Sequence, residues 1–376
     1  MNTELTILGR QLTLHRFPAN KNDTLQAWDA GDEYLIHHVE DMGLADNQHI
    51  LVLNDHFGAL SCWFSTRHRV TVMSDSFIAH QGILNNLRHN HCEEVTYLTT
   101  MDAIPKDVDV VVMQIPRNNR HLIWQLSQLR EQLPSDCAVI GVNKAKDIHS
   151  STLKLFERYL GDTHTSLAWK KHRLVFSQPN AALNVVPEDI EWDVEHETIH
   201  LSNRPNVYSG ESLDQGARFM LKYLPQDPTV KNIIDLGCGN GVLSVKLGQL
   251  NPNAQLTCID ESFMAVASAR KNLQQNLGYE RDIHCVANNC LDDFTEPCAD
   301  LVVCNPPFHQ QQAITDHIAW QMFCDAKHVL HKTGKLMVIG NRHLRYDVKL
   351  AKLFGKSRIK TVAGNKKFVI LEATKG

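Results

Sequence analysis

Short apolar runs recur along the later half of the chain, each followed by a polar turn and then a stretch of helical period. Residues 233–236, 255–259, 283–286, 301–304 and 335–339 read as strands, and residues 242–249, 263–275, 314–330 and 346–354 as the helices between them. The third helix is expected to stop near Thr333-Gly334. Two further β-rich runs, 359–362 and 368–371, flank Gly364-Asn365 and predict an antiparallel hairpin that finishes the sheet. Strands alternating with helices predict an α/β fold, a parallel sheet covered by helices on both faces.

The earlier half repeats this layout in weaker form. Residues 53–61 lie over 236–244, with matches at Leu53/Leu236, Gly58/Gly241, Leu60/Leu243 and Ser61/Ser244. Ser76-Phe77 matches Ser262-Phe263, Asn86-Leu87 matches Asn272-Leu273, Val139-Ile140-Gly141 matches Val338-Ile339-Gly340, and Leu155-Phe156 matches Leu353-Phe354. The offset grows from 183 at Gly58/Gly241 to 198 at Leu155/Leu353, the drift that one duplication followed by small loop insertions leaves behind. Two tandem domains of one fold are expected, 1–180 and 201–376. Between them, residues 181–200 form a connector, in which the alternation from Glu191 to Leu201 suggests a hairpin.

Composition narrows the partners. A chain of 376 residues, 43% hydrophobic and 21% charged, has material for two cores and is not disordered. With 38 Lys and Arg against 42 Asp and Glu, the net charge of -4 excludes diffuse attraction to nucleic acid. Charge is nevertheless segregated: residues 331–376 carry 12 Lys and Arg against Asp347 and Glu372, and residues 117–173 carry ten against five. Two local phosphate-facing surfaces, or else ordinary solvated helix faces, would produce that pattern. Ten scattered cysteines without a Cys-x-x-Cys pair argue against a zinc ribbon or disulfide scaffold and for a reducing compartment. No signal-peptide core, run of membrane-spanning length or metal-ligand spacing is found, so a cytoplasmic protein with no membrane contact and no metal is expected.

Two motifs carry chemistry. Asp235-x-Gly237-x-Gly239-x-Gly241 closes a strand and opens a helix, where glycines let a ligand approach the backbone and the helix start presents free N–H groups. Asp260, 25 residues on, ends the next strand, where a carboxylate can accept both hydroxyls of a ribose or, alternatively, cap the helix from Phe263. Asn305-Pro306-Pro307-Phe308 follows the fourth strand. An Asn side-chain oxygen and a proline-stiffened carbonyl can each accept one N–H of an exocyclic amine, drawing its nitrogen towards tetrahedral geometry and freeing the lone pair, while an aromatic ring stacks on the base.

The glycine turn with a downstream Asn-Pro-Pro-Phe resembles the class I S-adenosylmethionine-dependent amino-methyltransferases. The duplication and the run Asn305-Pro306-Pro307-Phe308-His309-Gln310 resemble more closely the bacterial ribosomal RNA guanine-N2 methyltransferases, large-subunit members more than their small-subunit sister group. That resemblance implies a Rossmann-like, seven-stranded fold in each domain, S-adenosyl-L-methionine as cofactor, and methylation of N2 of a guanine in 23S rRNA. It implies that Asp235, Gly237, Cys238, Gly239 and Gly241 pass the cofactor's methionine end, that Asp260 takes its ribose and Asn289 its adenine edge, and that Asn305, Pro306, Pro307 and Phe308 hold the target guanine. Residues 207–216, with Tyr208, Asp214 and Gly216, resemble the segment these enzymes fold over the methionine. There Tyr208 stands where Phe is common and Glu211 where a basic residue is frequent; by pattern alone, a capped helix from Ser212 is the alternative. His309 is expected to touch the nucleotide rather than act as a base.

The earlier domain lacks these groups. Asn54 and His56 replace Gly237 and Gly239, Ser74 replaces Asp260, and Gln114-Ile115-Pro116-Arg117 replaces Asn305-Pro306-Pro307-Phe308. This degenerate copy is expected to bind no cofactor and to position RNA. The substrate is expected to be naked or partly assembled large-subunit RNA with the target base unpaired or flipped out, and a monomer suffices. Small-subunit (16S) guanine-N2, adenine-N6 or protein-glutamine methylation, or a non-catalytic RNA-binding assembly factor, are the alternatives.

Overall fold

The structure, a computed structural model, describes residues 2–20, 23–185, 189–307 and 312–376. The chain divides into two compact units, Met1–Glu188 and Asp189–Gly376. The first opens with an antiparallel hairpin, β1 (Glu4–Ile7) and β2 (Arg10–Thr13), and continues through α1 (Ala30–Asp41), β3 (His49–Leu53), α2 (Ala59–Phe64), β4 (Arg69–Ser74), α3 (Phe77–His89), β5 (Thr96–Thr99), β6 (Val110–Gln114), α4 (Asn119–Gln132), β7 (Ala138–Lys144), α5 (Ser150–Tyr159), β8 (Thr163–Thr165) and β9 (His172–Ser177). The second unit repeats every step: β10 (Ile190–Asp193), β11 (His200–Asn203), α6 (Gln215–Leu221), β12 (Asn232–Leu236), α7 (Val242–Leu250), β13 (Gln255–Asp260), α8 (Phe263–Leu277), β14 (Ile283–Ala287), β15 (Ala299–Cys304), α9 (Gln312–Val329), β16 (Leu330–Asn341), α10 (Tyr346–Phe354), β17 (Ile359–Gly364) and β18 (Phe368–Thr374). Their seven-stranded sheets run β5-β4-β3-β6-β7-β9-β8 and β14-β13-β12-β15-β16-β18-β17. The fold is α/β, two tandem Rossmann-like units, as the alternating pattern predicts.

Continuous apolar strands follow from burial on both faces. Ile233, Leu301, Val303, Met337 and Ile339 enter the core beneath α6, α7 and α8, while Ile234, Leu236, Val302, Leu336 and Val338 enter the core beneath α9 and α10. Successive side chains point to opposite faces, and both faces are covered.

The observed elements depart from the expected ones in two places. The hairpin of β10 and β11 is part of the second unit, because Val194, Ile199 and Leu201 are buried in its core. The third helix ends at Val329, within one residue of its expected end, but the fifth strand begins at Leu330 rather than Lys335: Leu330 already pairs with Ala299, and the chain shifts register before Leu301 meets Lys335. The final hairpin forms and finishes the sheet as expected, with β18 lying between β16 and β17, antiparallel to both.

The duplication extends to the polar struts. In the first unit, Asn86 accepts the His15 N–H at 2.9 Å and donates to the carbonyls of His15 and Phe57. In the second, Asn272 accepts the Ser202 N–H at 2.8 Å and donates to the Asn240 carbonyl, the residue before Gly241 as Phe57 is before Gly58. One helical turn later, Asn90 brackets Thr13 and Asn276 brackets His200, each accepting the N–H and donating to the carbonyl of the same hairpin residue. Ser76 and Ser262 cap α3 and α8 with the same bond to the residue three ahead.

Candidate active site

Strand connectivity in the second unit reverses between β12 and β15, and in such sheets the crevice outside the carboxyl ends of the strands receives ligands. Leu236 is in register with Ile259 on one side and Cys304 on the other, and Asp260 with Ala287. Gly237, Asp260, Asn288 and Asn305 therefore leave the sheet side by side at that edge, although 68 residues of sequence separate the first from the last.

The turn after β12 is tied to the neighbouring strand. The N–H groups of Gly237 and Cys238 both donate to the Ile259 carbonyl, at 2.8 and 2.9 Å. The Gly239 N–H donates to Asp260 Oδ2 at 2.9 Å, while Asp260 Oδ1 accepts the Ser262 N–H at the start of α8. Asp260 is thus part of the helix entry as well as a carboxylate at the mouth of the turn. Two glycines serve different purposes here. At Gly241, with φ 80°, a Cβ would stand 2.9 Å from Leu273 Cδ1 and 3.0 Å from Ala269 Cα, so it lets α7 and α8 close together. At Gly239, with φ 53°, a Cβ would meet nothing within 4 Å, so this glycine borders open space. The Cys238 side chain turns into the core and leaves only backbone at the turn.

Asp235 is 1% exposed and accepts the Ser244 hydroxyl on Oδ2 at 2.6 Å. Its Oδ1 is buried with no partner among the described residues, and burial pushes the carboxyl up to about 6. Asn305 is oriented by Asp214, 91 residues earlier: Nδ2 donates to Asp214 Oδ2 at 3.3 Å. A carboxylate only accepts, so the NH2 faces Asp214 and the amide oxygen is left over. That Oδ1 is buried and has no partner among the described residues. Asp214 itself caps α6 by accepting the Ala217 N–H at 2.9 Å, and the Tyr208 hydroxyl donates to its other oxygen at 3.3 Å. The helix that the alternative reading would start at Ser212 begins only at Gln215, with Gly216 buried in its first turn.

Other expected positions are less open. Asn289 is 4% exposed, and its Nδ2 donates to Asp292 Oδ2 at 2.6 Å, so the amine half of that amide already has a partner. Pro306 is buried and Pro307 exposed. Phe308 and His309 lie outside the described residues. Ser244 was visible in the sequence only as the repeat partner of Ser61, and nothing there pointed to its bond with Asp235. Asn341 and Lys367, which line a cavity beside Asp214, gave no signal beyond the basic tail.

The first unit fills the equivalent place with its own amides. Asn54, at φ 62°, donates to the Gln114 carbonyl at 2.8 Å and exchanges two hydrogen bonds with Gln125 at 3.0 and 2.8 Å. Gln114, which takes the position of Asn305, donates to Asp32 Oδ1 at 2.6 Å. Burial raises the Asp32 carboxyl well above its ordinary range.

Two tandem Rossmann-like sheets, one with an open glycine turn and one with that turn closed by amides, define a two-domain chain of the class I methyltransferase fold. Residues 2–181 match the model of the RLMG N-terminal domain and residues 198–372 that of the methyltransferase small domain. The chain is 68% identical to the ribosomal RNA large subunit methyltransferase G of Vibrio campbellii, covering 100% of this chain and 98% of that one. With the protein of the same name from Vibrio cholerae it shares 64%, over 100% of both. The chain belongs to the ribosomal RNA large subunit methyltransferase G family. Its backbone also resembles a solved 16S rRNA N2 methyltransferase of T. thermophilus, in complex with AdoMet and guanosine, at 19% identity and TM-score 0.78 over 100% of this chain and 98% of that one. All ten cysteines are free thiols. Among the described residues no helix is long and apolar enough to cross a membrane, and no group of three or more His, Cys, Asp or Glu side chains could hold a metal ion.

Proposed function

We propose that the second unit transfers the methyl group of S-adenosylmethionine to the exocyclic N2 of a guanine in large-subunit (23S) ribosomal RNA. Membership of the family supports the reaction class and the RNA; the site supports the atom. One observation carries the reading: the buried Asn305 Oδ1 lacks a donor while its Nδ2 is pinned by Asp214. A buried acceptor without a partner costs about 1–3 kcal/mol, a cost relieved when an N–H of the target amine arrives.

The residues around the turn fit the cofactor. The space at Gly239 admits a ligand against the backbone, and Asp235 offers a buried carboxylate oxygen with no partner, suited to an ammonium group. Asp260, at the mouth of the turn, is suited to ribose hydroxyls. Cys238, Gly237 and Gly241 contribute backbone, Tyr208, Asp214 and Gly216 cover the methionine end, and Asn289 bounds the adenine side. When bound, S-adenosylmethionine supplies an electrophilic methyl group on a sulfonium. Asn305 Oδ1 and the carbonyl of Pro306 accept the two hydrogens of the guanine amine, and Pro307 stiffens that carbonyl. Phe308 stacks on the base. Orientation supplies most of the rate, and no strong base is required, because the methylated amine sheds its extra proton readily.

The first unit, 1–180, is proposed to bind no cofactor and to position RNA, with a single chain in the cytoplasm as the functional form. The test is methylation of large-subunit RNA from cells lacking this gene, followed by mass analysis of nucleosides. N2-methylguanosine is expected; methyl groups on adenine N6, on small-subunit RNA alone, or on a protein glutamine would replace this reading with one of its rivals.

A further inference from the structure

A cavity of about 290 Å3 lies beside Asp214 on the second unit, lined among others by Ser209, Ser212, Gln215, Asn341 and Lys367. Its size is at the low end for small-ligand sites, enough for one sugar with a phosphate rather than a whole dinucleotide. It adjoins the acceptor site directly, because the Asp214 carboxylate that lines it also holds Asn305. Two groups in that lining set its chemistry. Asn341 Oδ1 is buried with no partner among the described residues. Lys367, exposed and brought beside Asn341 by the pairing of Asn341 with Phe368, donates to Gln215 Oε1 at 2.8 Å and is the one cation among the described residues of the lining.

Resting on the functional reading above, we propose that this cavity is a ribose–phosphate subsite for a nucleotide adjoining the target guanine. Asn341 accepts its 2′-hydroxyl, and Lys367 faces its phosphate. The fold explains the placement. Asn341 ends β16 opposite Phe368, three residues past the Val338 that pairs with Cys304, so it reaches the same carboxyl edge of the sheet as Asn305. The orphan acceptor calls for a donor, and the lysine for an anion. A sugar hydroxyl at Asn341 and a phosphate at Lys367 satisfy both at once. A 2′-hydroxyl donor is also what distinguishes RNA from DNA at a single position.

The full chain is assayed on a short RNA bearing the unmodified target guanine, and on the same RNA with 2′-deoxyribose at one flanking nucleotide at a time. For the wild type, one deoxy position is expected to raise KM about tenfold. Asn341→Ala is expected to raise KM for the all-ribose RNA about tenfold, leave the S-adenosylmethionine Kd unmoved, and abolish the further effect of that deoxy position. A deoxy effect that persists undiminished in Asn341→Ala, or an unchanged KM, overturns the subsite. Should that variant misfold, the exposed Lys367→Ala is expected to lower the slope of log affinity against log salt by about one, and an unchanged slope overturns the phosphate contact. A wild type that takes a DNA strand of the same sequence equally well also overturns the subsite. If the wild type binds cofactor but methylates no guanine in the RNA, the functional reading fails first and carries the subsite with it.

Discussion

Replacing Gly239 or Gly241 with alanine makes the same chemical change at two sites in one turn, and the structure predicts opposite consequences. Both glycines have left-handed backbones, φ 53° and 80°, which cost an L-residue about 1–2 kcal/mol. At Gly241 the new Cβ also stands 2.9–3.0 Å from Leu273 and Ala269, where α8 backbone must move aside, adding about 1–3 kcal/mol of overpacking. The sum, about 2–5 kcal/mol, lowers the melting temperature of a unit this size by about 5–15 °C. At Gly239 nothing lies within 4 Å, so only the backbone term remains and the melting temperature falls by no more than about 5 °C. The methyl group there enters the space assigned to the cofactor, and S-adenosylmethionine affinity is expected to drop by about a hundredfold or more, equivalent to roughly 3 kcal/mol. Thermal denaturation and calorimetric titration of the two purified variants separate the effects. Wild-type cofactor affinity in Gly239→Ala, or an undiminished melting temperature in Gly241→Ala, would refute the division of labour within this turn.

Asn305→Ala is expected to reduce kcat by about 10²–10³, the usual cost of deleting one preorganised polar contact to a reacting group, with the cofactor Kd unchanged by calorimetry. Asp235, pushed from 3.8 to about 6 by burial, favours its protonated form in the folded chain. The stability this confers is therefore present below pH 4 and lost as pH rises through about 6, a difference of about 3 kcal/mol. Urea denaturation without cofactor should show that loss in the wild type and not in Asp235→Asn, and an identical pH profile in both would contradict it. Asn272→Ala leaves the Ser202 N–H and the Asn240 carbonyl without their partner and should cost about 2–4 kcal/mol; Asn86→Ala should cost as much in the first unit, each seen as a lower denaturation midpoint. Calorimetry of the full chain should give one S-adenosylmethionine per molecule, since the Asn54, Gln125 and Gln114 amides close the other turn; two sites per chain would contradict that closure.

Much of the second unit was legible because doubly covered strands read as unbroken apolar words and glycine or serine marks each exit. Helix α10 and the start of α8 coincide with their expected bounds for that reason. The insertion of β18 between β16 and β17 was not legible, because strand order is a property of non-local pairing and both arrangements use the same hairpin. Asn86-Leu87 and Asn272-Leu273 registered as a repeated word, whereas Asn90 and Asn276, one turn on, did not, although they grip the same hairpins. The site divided along similar lines. Gly239, Asp260 and Asn305 announce themselves by motif, and the register of β12, β13 and β15 brings them together. The clamp of Asn305 by Asp214 spans 91 residues and needed the fold to be seen. The engagement of Asn289 by Asp292 likewise follows from a turn that no spacing rule describes.

The central claim is that Asn305 presents an amide oxygen to an exocyclic guanine amine. Its most direct test is nucleoside mass spectrometry of large-subunit RNA from a strain lacking the gene, after incubation with S-adenosylmethionine and either wild type or Asn305→Ala. The account predicts one N2-methylguanosine per RNA with the wild type and almost none with the variant. N2-methylguanosine formed equally by both would contradict it.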